Sequence, residues 1–467
     1  MANKRVFVLI LNFVFFGILT SKGQEFFSLN GNIKNLNENE ISISVYKNWV
    51  EPPLEYELKV DKKGNYIFQT PLTEIAYVDL NIGEKGYYYL VIEPKDKITL
   101  NADYNDFENS IAISGDGSQK WKYYRDLKKF FEDDKDWHIE LIKLKKISRK
   151  GYFDLTNYLL EEQIKILNTY KPSVSEAFFS LMRADIYGKM SQFELEYLVG
   201  KNIFSQAEFD RFQLKTFNNV TQEKSYFFGN FVESLIEKHN MMSKKYENDN
   251  LLDYESIKAY FDRNDIVGKN LIDRILATKI ISYLDVDGPS EKNKLIVGNY
   301  KEFSKNKNYT NYVINKLSRI QGLLPGSQAQ NFILENEKGD LISLKDFRGK
   351  NILLSFYTGW CGPCIVDQNT MHIIKNYFLA NNDLVILSVS LDDRDEFKRV
   401  LEANRFPGVH LFAPKNSSIL KDYVIESVPQ YYLINKSGII ISEQIIEPSL
   451  DEGRALIKQI ERLLYGK

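Results

Sequence analysis

Apolar and polar residues change their spacing twice along this chain, which divides it into three regions. From residue 24 to about 118, apolar side chains alternate with polar ones, the period of a strand with one buried face. Strands are predicted at 41–45, 66–68, 77–80, 88–92 and 98–100. Glycine-containing turns are predicted at 61–65 and 83–86. This region therefore predicts a small antiparallel β-sandwich or barrel.

The second region, from about 119 to 322, has the spacing of helices. Trp121, Tyr124, Leu127 and Phe131 recur every three or four residues, as on one face of a helix. Further helical runs are predicted at 155–167, 178–187, 227–238, 272–284 and 309–322. We interpret the many aromatic residues here as core residues rather than as a ligand platform. The region predicts an α-helical domain.

The third region, 323–467, begins within a boundary segment at 322–326, which contains Pro325 and Gly326, and it alternates strands with helices. The pattern predicts strands or hairpins at 332–344, 352–357, 384–391, 409–412, 430–435 and 439–444. It predicts helices at 362–379, 395–403 and 450–464. Strands rich in Ile, Val and Leu suit a sheet that is covered on both faces. The region therefore predicts an α/β domain.

Composition limits the classes of partner. A chain of 467 residues is long enough for two or three domains, and its net charge is only −2. Acidic and basic residues are interspersed, so neither a nucleic acid nor an acidic membrane surface is indicated as a partner.

Residues 1–23 have the layout of an export signal. Lys4 and Arg5 precede an apolar run at 6–19 that only Asn12 interrupts. This run is too short to span a bilayer comfortably, which favours a cleaved signal peptide over an uncleaved membrane anchor. The sequence thus predicts a periplasmic or other extracytoplasmic protein, with membrane contact only if the segment is not removed.

Cys361 and Cys364 are the only two cysteines of the chain, and they flank a predicted strand-to-helix junction. The unpaired N–H groups and partial positive charge of a first helical turn favour a thiolate over a thiol. Cys361 is therefore the candidate nucleophile, and Cys364 is placed to resolve a mixed disulfide. Pro363 suits the first helical turn because its missing N–H has no helical partner there. A purely structural disulfide would close too small a loop to matter much, and a zinc site would lack two ligands.

The segment Trp360-Cys361-Gly362-Pro363-Cys364 resembles the thioredoxin active-site signature. Flanking segments resemble the extracytoplasmic TlpA/ResA-like branch of the alkyl hydroperoxide reductase/thiol-specific antioxidant superfamily. They comprise a lead-in segment at 329–350 and Val428-Pro429-Gln430 with the strand and hairpin that follow. Residues 24–118 loosely resemble the β-rich domain of unknown function that often precedes such domains. The resemblance implies a thioredoxin-like fold over about the last third of the chain.

The sequence also departs from the family pattern. Gln330 and Asn369 stand where prolines are usual, and Ser355 replaces the buried aspartate of cytoplasmic thioredoxins. Asp367 falls where the TlpA/ResA-like branch keeps an acidic residue. The resemblance therefore implies that Asp367 helps to deprotonate Cys364, with an ordinary exposed helix acid as the alternative.

The resemblance implies further roles. Pro429 is expected to be cis and to lie beside Cys361, and the backbone of Val428 is expected to bind an incoming peptide. Trp360 would present an apolar edge to partners, with a simple packing residue as the alternative. Gly362 and Pro363 resemble the dipeptide of reducing thioredoxins. The implied reaction is reduction of periplasmic protein disulfides, such as that of apocytochrome c, with electrons from a membrane thiol relay. No cofactor or metal beyond the Cys361–Cys364 disulfide is expected.

Two other functions stay open at this point. Thr358, three residues before Cys361, occurs in the same place in peroxiredoxins and prompts a thiol peroxidase, although Leu354 stands where that motif has proline. The other possibility is a partner-binding protein that uses the thioredoxin-like domain as a scaffold. The intact cysteine pair argues against this, because a scaffold needs neither thiol.

Overall fold

A computed structural model describes most of the chain. The described residues are 25–36, 41–133, 148–212, 214, 217–242, 249–264, 267–378, 383–414, 417–425 and 427–466. The predicted signal peptide at 1–23 and the predicted helix end at 379 lie outside them. The described part has a strand-rich N-terminal region, a helical middle and a C-terminal region where strands and helices alternate. Within it, no helix is both long enough and apolar enough to cross a membrane.

The strands of the N-terminal region form two four-stranded sheets. The described strands are β1 (Phe26–Lys34), β2 (Ile41–Tyr46), β3 (Leu54–Leu58), β4 (Asn65–Pro71), β5 (Ala76–Ile82), β6 (Lys85–Ile92), β7 (Lys97–Asp103) and β8 (Ala112–Asp116). One sheet has the order β4-β1-β7-β8 and the other the order β3-β2-β5-β6. The five predicted strands are confirmed, and β1, β3 and β8 were not predicted.

One pairing differs from the antiparallel arrangement that was predicted. β1 and β7 are parallel, with Leu29 opposite Ile98, whereas β1 with β4 and β7 with β8 are antiparallel. Local alternation specifies which face of a strand is buried but not the direction of a distant partner. The prediction of purely antiparallel pairing was therefore wrong at this pair.

Side chains of both sheets belong to one hydrophobic core. Leu29 and Leu100 come from the first sheet, and Ile43 and Leu80 come from the second. Trp121 joins the same core from the helix α2. Short helix α1 is Phe107–Ser110, and α2 is Ser118–Asp133.

The middle of the chain is helical. Its helices are α3 (Arg149–Tyr170), α4 (Glu176–Gly200), α5 (Gln206–Arg211), α6 (Asn219–Lys224), α7 (Tyr226–Met242), α8 (Asn250–Asn264), α9 (Lys269–Asp287), α10 (Glu291–Phe303) and α11 (Lys307–Gly322). Ser148 and Ser175 cap α3 and α4, because their side chains accept hydrogen bonds from Gly151 N and Phe178 N. The predicted helical runs are confirmed, whereas α5, α6, α8 and α10 were not predicted.

The described residues form two compact units. The first holds residues up to 242 together with 259–275, and the second holds 249–258 together with the residues from 276 onward. Helices α8 and α9 thus contribute to both units. The domain limits predicted at 118 and 322 stay a prediction.

The C-terminal region is built on a seven-stranded sheet with the order β10-β9-β13-β12-β11-β14-β15. Its strands are β9 (Ile333–Asn336), β10 (Leu341–Ser343), β11 (Asn351–Tyr357), β12 (Leu384–Ser390), β13 (Val409–Phe412), β14 (Gln430–Ile434) and β15 (Ile440–Ser442). Its helices are α12 (Gly362–Phe378), α13 (Arg394–Asn404), α14 (Ile419–Asp422) and α15 (Arg454–Tyr465). The predicted order of strands and helices is confirmed.

β11 is an interior strand of this sheet, and all seven of its residues are buried. It is parallel to β12 and antiparallel to β14. Ile352, Leu354 and Phe356 join one hydrophobic core, whereas Leu353 joins another that includes residues of α12 and α15. Both faces of the sheet are therefore covered, as the continuous apolar run predicted.

Candidate active site

The chain turns sharply between the end of β11 and the start of α12. The N–H of Cys361 donates to the carbonyl of Thr358 over 3.3 Å, which closes the turn. The carbonyl of Cys361 accepts from Ile365 N over 3.1 Å, the first bond of the helical pattern. Cys361 therefore lies at the amino end of α12, where the N–H groups of the first turn point outward.

The two cysteine sulfurs are bonded to each other in this structure. Cys361 retains 7% exposure, whereas Cys364 is fully buried. The N–H of Cys364 lies 3.2 Å from Cys361 Sγ and donates toward it. Tyr357, Val400 and Phe406 pack with both cysteines in one apolar cluster. Only Cys361 is thus accessible to another molecule's sulfur.

The turn before β14 lies against Cys361. The Val428–Pro429 peptide bond is cis, as expected. The carbonyl oxygen of Val428 is 3.8 Å from Cys361 Sγ. The structure therefore brings Cys361 together with Val428 and Pro429, which lie far from it in the sequence.

The surface around the cysteines carries an exposed indole. Trp360 is 79% exposed, so its interpretation as a simple packing residue is wrong. Gly362 and Pro363 are also exposed, on the outer side of the first turn of α12. An added Cβ at Gly362 would meet no atom within 4 Å. Open space thus adjoins the edge of Cys361.

Asp367 is buried one turn beyond Cys364. The carboxylate has 2% exposure and accepts hydrogen bonds from the phenol of Tyr431 (2.6 Å) and the N–H of Ser449 (2.9 Å). The alternative of an exposed helix acid is therefore wrong. Within the described residues, neither hydrogen bond of this carboxylate is to a cysteine. Burial and this hydrogen bond raise the pKa of Tyr431 far above its ordinary value, so the phenol is the donor.

Ser355 belongs to a buried hydrogen-bonded ring rather than to a charged site. Its hydroxyl donates to Ser388 Oγ (2.8 Å), which donates to Gln368 Oε1 (3.1 Å). Gln368 Nε2 donates back to Ser355 Oγ over 3.0 Å. Each of the three side chains therefore has hydrogen-bond partners within the ring. The ring joins the sheet to α12 without a buried charge.

Asp392 stabilises the active-site turn through a hydrogen bond to its backbone, a role that the sequence analysis missed. Its Oδ2 atom accepts from Gly359 N (2.8 Å) and from Ser390 Oγ (2.8 Å). Burial raises the pKa of this carboxyl above its ordinary value. The sequence did contain a signal that Asp392 lies near the active site. Asp392 follows a predicted strand parallel to β11, and the carboxyl ends of parallel strands meet at one edge of the sheet.

His410 is buried in β13, behind the same turn. Its ring lies against Tyr357 and Phe406, with centroid distances of 6.2 and 6.0 Å. Neither ring nitrogen has a side-chain or backbone hydrogen bond of normal geometry within the described part of the chain. Burial lowers the pKa of His410 to about 4, so the imidazole is neutral at pH 7.

Across the described residues, no group of three or more histidine, cysteine or carboxylate side chains is placed to hold a metal ion. The chemistry that the site can perform with its own groups is thiol–disulfide exchange at Cys361.

Comparison with known proteins finds matches to part of this chain. Residues 325–442 match the model of the AhpC/TSA family. The thiol-disulfide oxidoreductase ResA of Bacillus thuringiensis subsp. konkukian (strain 97-27) is 28% identical over 139 residues, which are 29% of this chain and 78% of the relative. The thioredoxin-like protein YneN of Bacillus subtilis (strain 168) is 26% identical over 119 residues, which are 26% of this chain and 70% of the relative.

A solved structure is similar over the same part. The thiol-disulfide oxidoreductase from Bacteroides fragilis NCTC 9343 is 26% identical and covers 27% of this chain and 94% of its own, with a TM-score of 0.25. The matched residues 325–442 include Cys361, Cys364 and Pro429. These residues therefore match the AhpC/TSA family model, and the chain is similar to thioredoxin-like thiol-disulfide oxidoreductases of the ResA type.

Proposed function

We propose that this protein is an exported thiol-disulfide oxidoreductase that reduces protein disulfides in the periplasm through Cys361 and Cys364. The observation that carries the proposal is the unequal burial of the pair, with a sulfur edge of Cys361 beside Val428 O and Cys364 fully enclosed. Two curated relatives bear the name thiol-disulfide oxidoreductase or thioredoxin-like protein, which supports an oxidoreductase activity.

The proposed reaction starts from the reduced pair. The Cys361 thiolate attacks one sulfur of the substrate disulfide, whose S–S bond breaks as a mixed disulfide forms. The other substrate sulfur leaves as a thiolate in this step. Cys364 then loses its proton and attacks Cys361 Sγ, so the substrate sulfur held in the mixed disulfide leaves as the second thiolate. Two electrons have passed to the substrate, whose two thiolates take up protons, and the enzyme is left with the Cys361–Cys364 disulfide. This disulfide is the redox-active group, and no further cofactor takes part.

A peptide substrate would dock along the turn before β14. In an extended conformation it would hydrogen-bond to the backbone of Val428, with Pro429 packing beside Cys361. Trp360, Gly362 and Pro363 would form the opposite border, because they are exposed around the sulfur edge. The exposed indole offers apolar area to a protein partner at little entropic cost.

Asp367 is proposed to assist the deprotonation of Cys364. Its burial in the same helix, one turn further on, supports a role in the site. Its two hydrogen bonds also give it a positioning role, so the two roles need an experiment that separates them.

The proposed partners follow from the direction of electron flow. A reductase outside the cytoplasm must be recharged, so the expected donor is a membrane thiol protein, and the expected substrate is a protein disulfide. Export rests on the signal-like segment at 1–23.

The N-terminal regions are proposed to choose the partner. The two sheets would form a β-sandwich over residues 24–118, and a helical domain at 119–322 would select the protein to be reduced. Comparison of the full chain with a variant that lacks 24–322 tests this role, with Cys364→Ser in both so that partners stay trapped on Cys361. An unchanged range of trapped partners contradicts selection by these regions.

The activity is tested with insulin disulfides as substrate and dithiothreitol as the initial reductant. The wild-type protein is expected to accelerate reduction, and Cys361→Ser is expected to abolish it. Cys364→Ser should accumulate a mixed disulfide through Cys361, because the resolving thiol is absent. Consumption of hydrogen peroxide without insulin reduction would favour the peroxidase alternative, and partner binding that needs neither cysteine would favour the scaffold alternative.

A further inference from the structure

The N-terminal region contains a cavity of about 200 Å³ within its hydrophobic core. Leu80 and Leu90 line it from one sheet, Leu100 from the other, and Trp121 and Tyr124 from α2. Protein interiors are close-packed, and voids larger than a water molecule are few in a domain. An unfilled space of this size among apolar side chains is therefore a candidate binding site.

The cavity reaches the protein surface. Tyr88 lines it and is 60% exposed, and Arg125 lines it from the exposed side of α2. A small molecule could therefore enter without unfolding of the sheets.

The lining combines an apolar interior with a cationic border. Arg125 and Lys128 are the charged side chains of the lining, and both are basic. Within the described residues, the guanidinium of Arg125 donates to Ile111 O (3.2 Å), and its other N–H groups can bind a ligand. Lys128 pairs with Glu108 over 2.8 Å, so Arg125 supplies the positive charge at this border. This charge favours an anionic group at the entrance.

A second observation concerns Trp121. Its side chain is 3% exposed, and within the described residues its indole N–H has no hydrogen-bonding partner. Buried indole N–H groups usually have one. Trp121 also lines the cavity, so the core is not closely packed and satisfied on this side.

We propose that this cavity binds a single-chain amphipathic anion of about eight carbon atoms. The alkyl chain lies among Leu80, Leu90, Leu100 and Trp121, and the anionic group lies at Arg125 and Lys128. The chain length follows from volume, because an apolar cavity of about 150 Å³ holds benzene and this one is larger. The site is separate from the cysteine pair and does not depend on the proposed redox function.

Calorimetric titration of the full chain tests the proposal with three probes of equal length: octanoate, octan-1-ol and octylamine. Octanoate is expected to bind one per chain, at least about tenfold more tightly than octylamine, because only the anion complements the border. Absence of saturable octanoate binding, or equal affinity for octanoate and octylamine, overturns the proposal.

Variants locate the ligand. Arg125→Gln/Lys128→Gln removes two surface charges, and we expect octanoate to bind about tenfold more weakly while octan-1-ol binds as before. The matched control is Lys122→Gln/Lys129→Gln, on the same helix but outside the cavity lining. An equal loss in both double variants overturns the proposed position of the anionic group. Ile113→Phe, which places a larger side chain in the cavity, should weaken octanoate and octan-1-ol alike, and unchanged binding of both contradicts the site.

Discussion

The phenol of Tyr431 donates a 2.6 Å hydrogen bond to the buried carboxylate of Asp367. This bond joins α12, which carries Cys364, to β14, which begins directly after Pro429. The second oxygen of Asp367 accepts from Ser449 N, so a third segment is tied to the same carboxylate. Asp367 therefore holds the two sides of the cysteine site in one arrangement.

Loss of this bond should lower stability. In Tyr431→Phe, a buried carboxylate oxygen loses its partner, and the free energy of unfolding is expected to fall by about 1–3 kcal/mol. Urea unfolding measures it. Asp367→Asn should cost a similar amount, and the double variant should cost less than the sum because both changes remove one interaction. Additive losses would show that the two residues are not coupled.

The proton-transfer role of Asp367 is separable from its positioning role. Asp367→Asn removes the carboxylate. Tyr431→Phe breaks the hydrogen bond between Tyr431 and Asp367 but keeps the carboxylate. We expect Asp367→Asn to slow the release of substrate from the mixed disulfide by about tenfold or more and to change its pH profile. Tyr431→Phe, which keeps the carboxylate, is the control and should slow this step much less than Asp367→Asn. Identical profiles in both variants and the wild type would contradict proton transfer by Asp367.

Asp392 should contribute to stability and activity mainly as a hydrogen-bond acceptor rather than through its negative charge. Asp392→Ala leaves Gly359 N without its side-chain partner, and we expect a loss of about 1–3 kcal/mol with slower insulin reduction. Asp392→Asn retains an acceptor oxygen in the same place and should recover most of both. The measurements are urea unfolding and the initial rate of insulin reduction. Equal effects of the two substitutions would indicate that the charge is what the site needs.

His410 should make the protein sensitive to acid. Its pKa in the folded state is about 4, below the value of about 6.5 expected in the unfolded chain. Its stabilising contribution is therefore complete above pH 6.5 and is lost as the pH falls toward 4. The wild type should lose up to about 3 kcal/mol more than His410→Gln between pH 7 and pH 4.

Urea unfolding at several pH values measures this difference. His372→Gln is the matched control, because it makes the same substitution at an exposed histidine of α12. Parallel curves for the wild type and His410→Gln would contradict a buried neutral imidazole.

Sequence patterns revealed the parts of this fold that depend on local order. The apolar run at 352–357 predicted a strand, and its side chains are all buried in the structure. The cysteine spacing indicated the strand-to-helix junction. The cis bond before Pro429 followed from resemblance to a family rather than from local chemistry. Interactions between distant segments were not predictable: nothing near Asp367 indicates Tyr431, and nothing near Ser355 indicates Ser388 and Gln368.

The lack of a local sequence signal also explains why β1 and β8 were not predicted. β1 and β8 contain glycines, which weaken the alternating pattern, and they are stabilised by neighbours on the sheet. At Gly31 the backbone comes so close to Leu100 O that an added Cβ would lie 1.8 Å from it. A glycine that allows close approach between strands adds nothing to the alternation of apolar and polar residues. β1 can therefore be recognised as a strand only from its pairing with neighbouring strands.

Trp360 should affect protein substrates without affecting stability. Because the indole is 79% exposed, Trp360→Ala is expected to change the free energy of unfolding by less than about 0.5 kcal/mol. Reduction of insulin should slow several-fold, whereas reduction of a small disulfide such as hydroxyethyl disulfide should not change. Equal slowing of both substrates would contradict a role in partner contact.

The reduction potential of the Cys361–Cys364 pair decides whether this protein can act as a reductase. Equilibration of the full chain in dithiothreitol and glutathione buffers gives the value from the fraction of each redox state. We expect a potential at or below about −250 mV, in the range of reducing thioredoxins. A value between about −180 and −120 mV, in the range of disulfide isomerases and oxidases, would contradict a reductase.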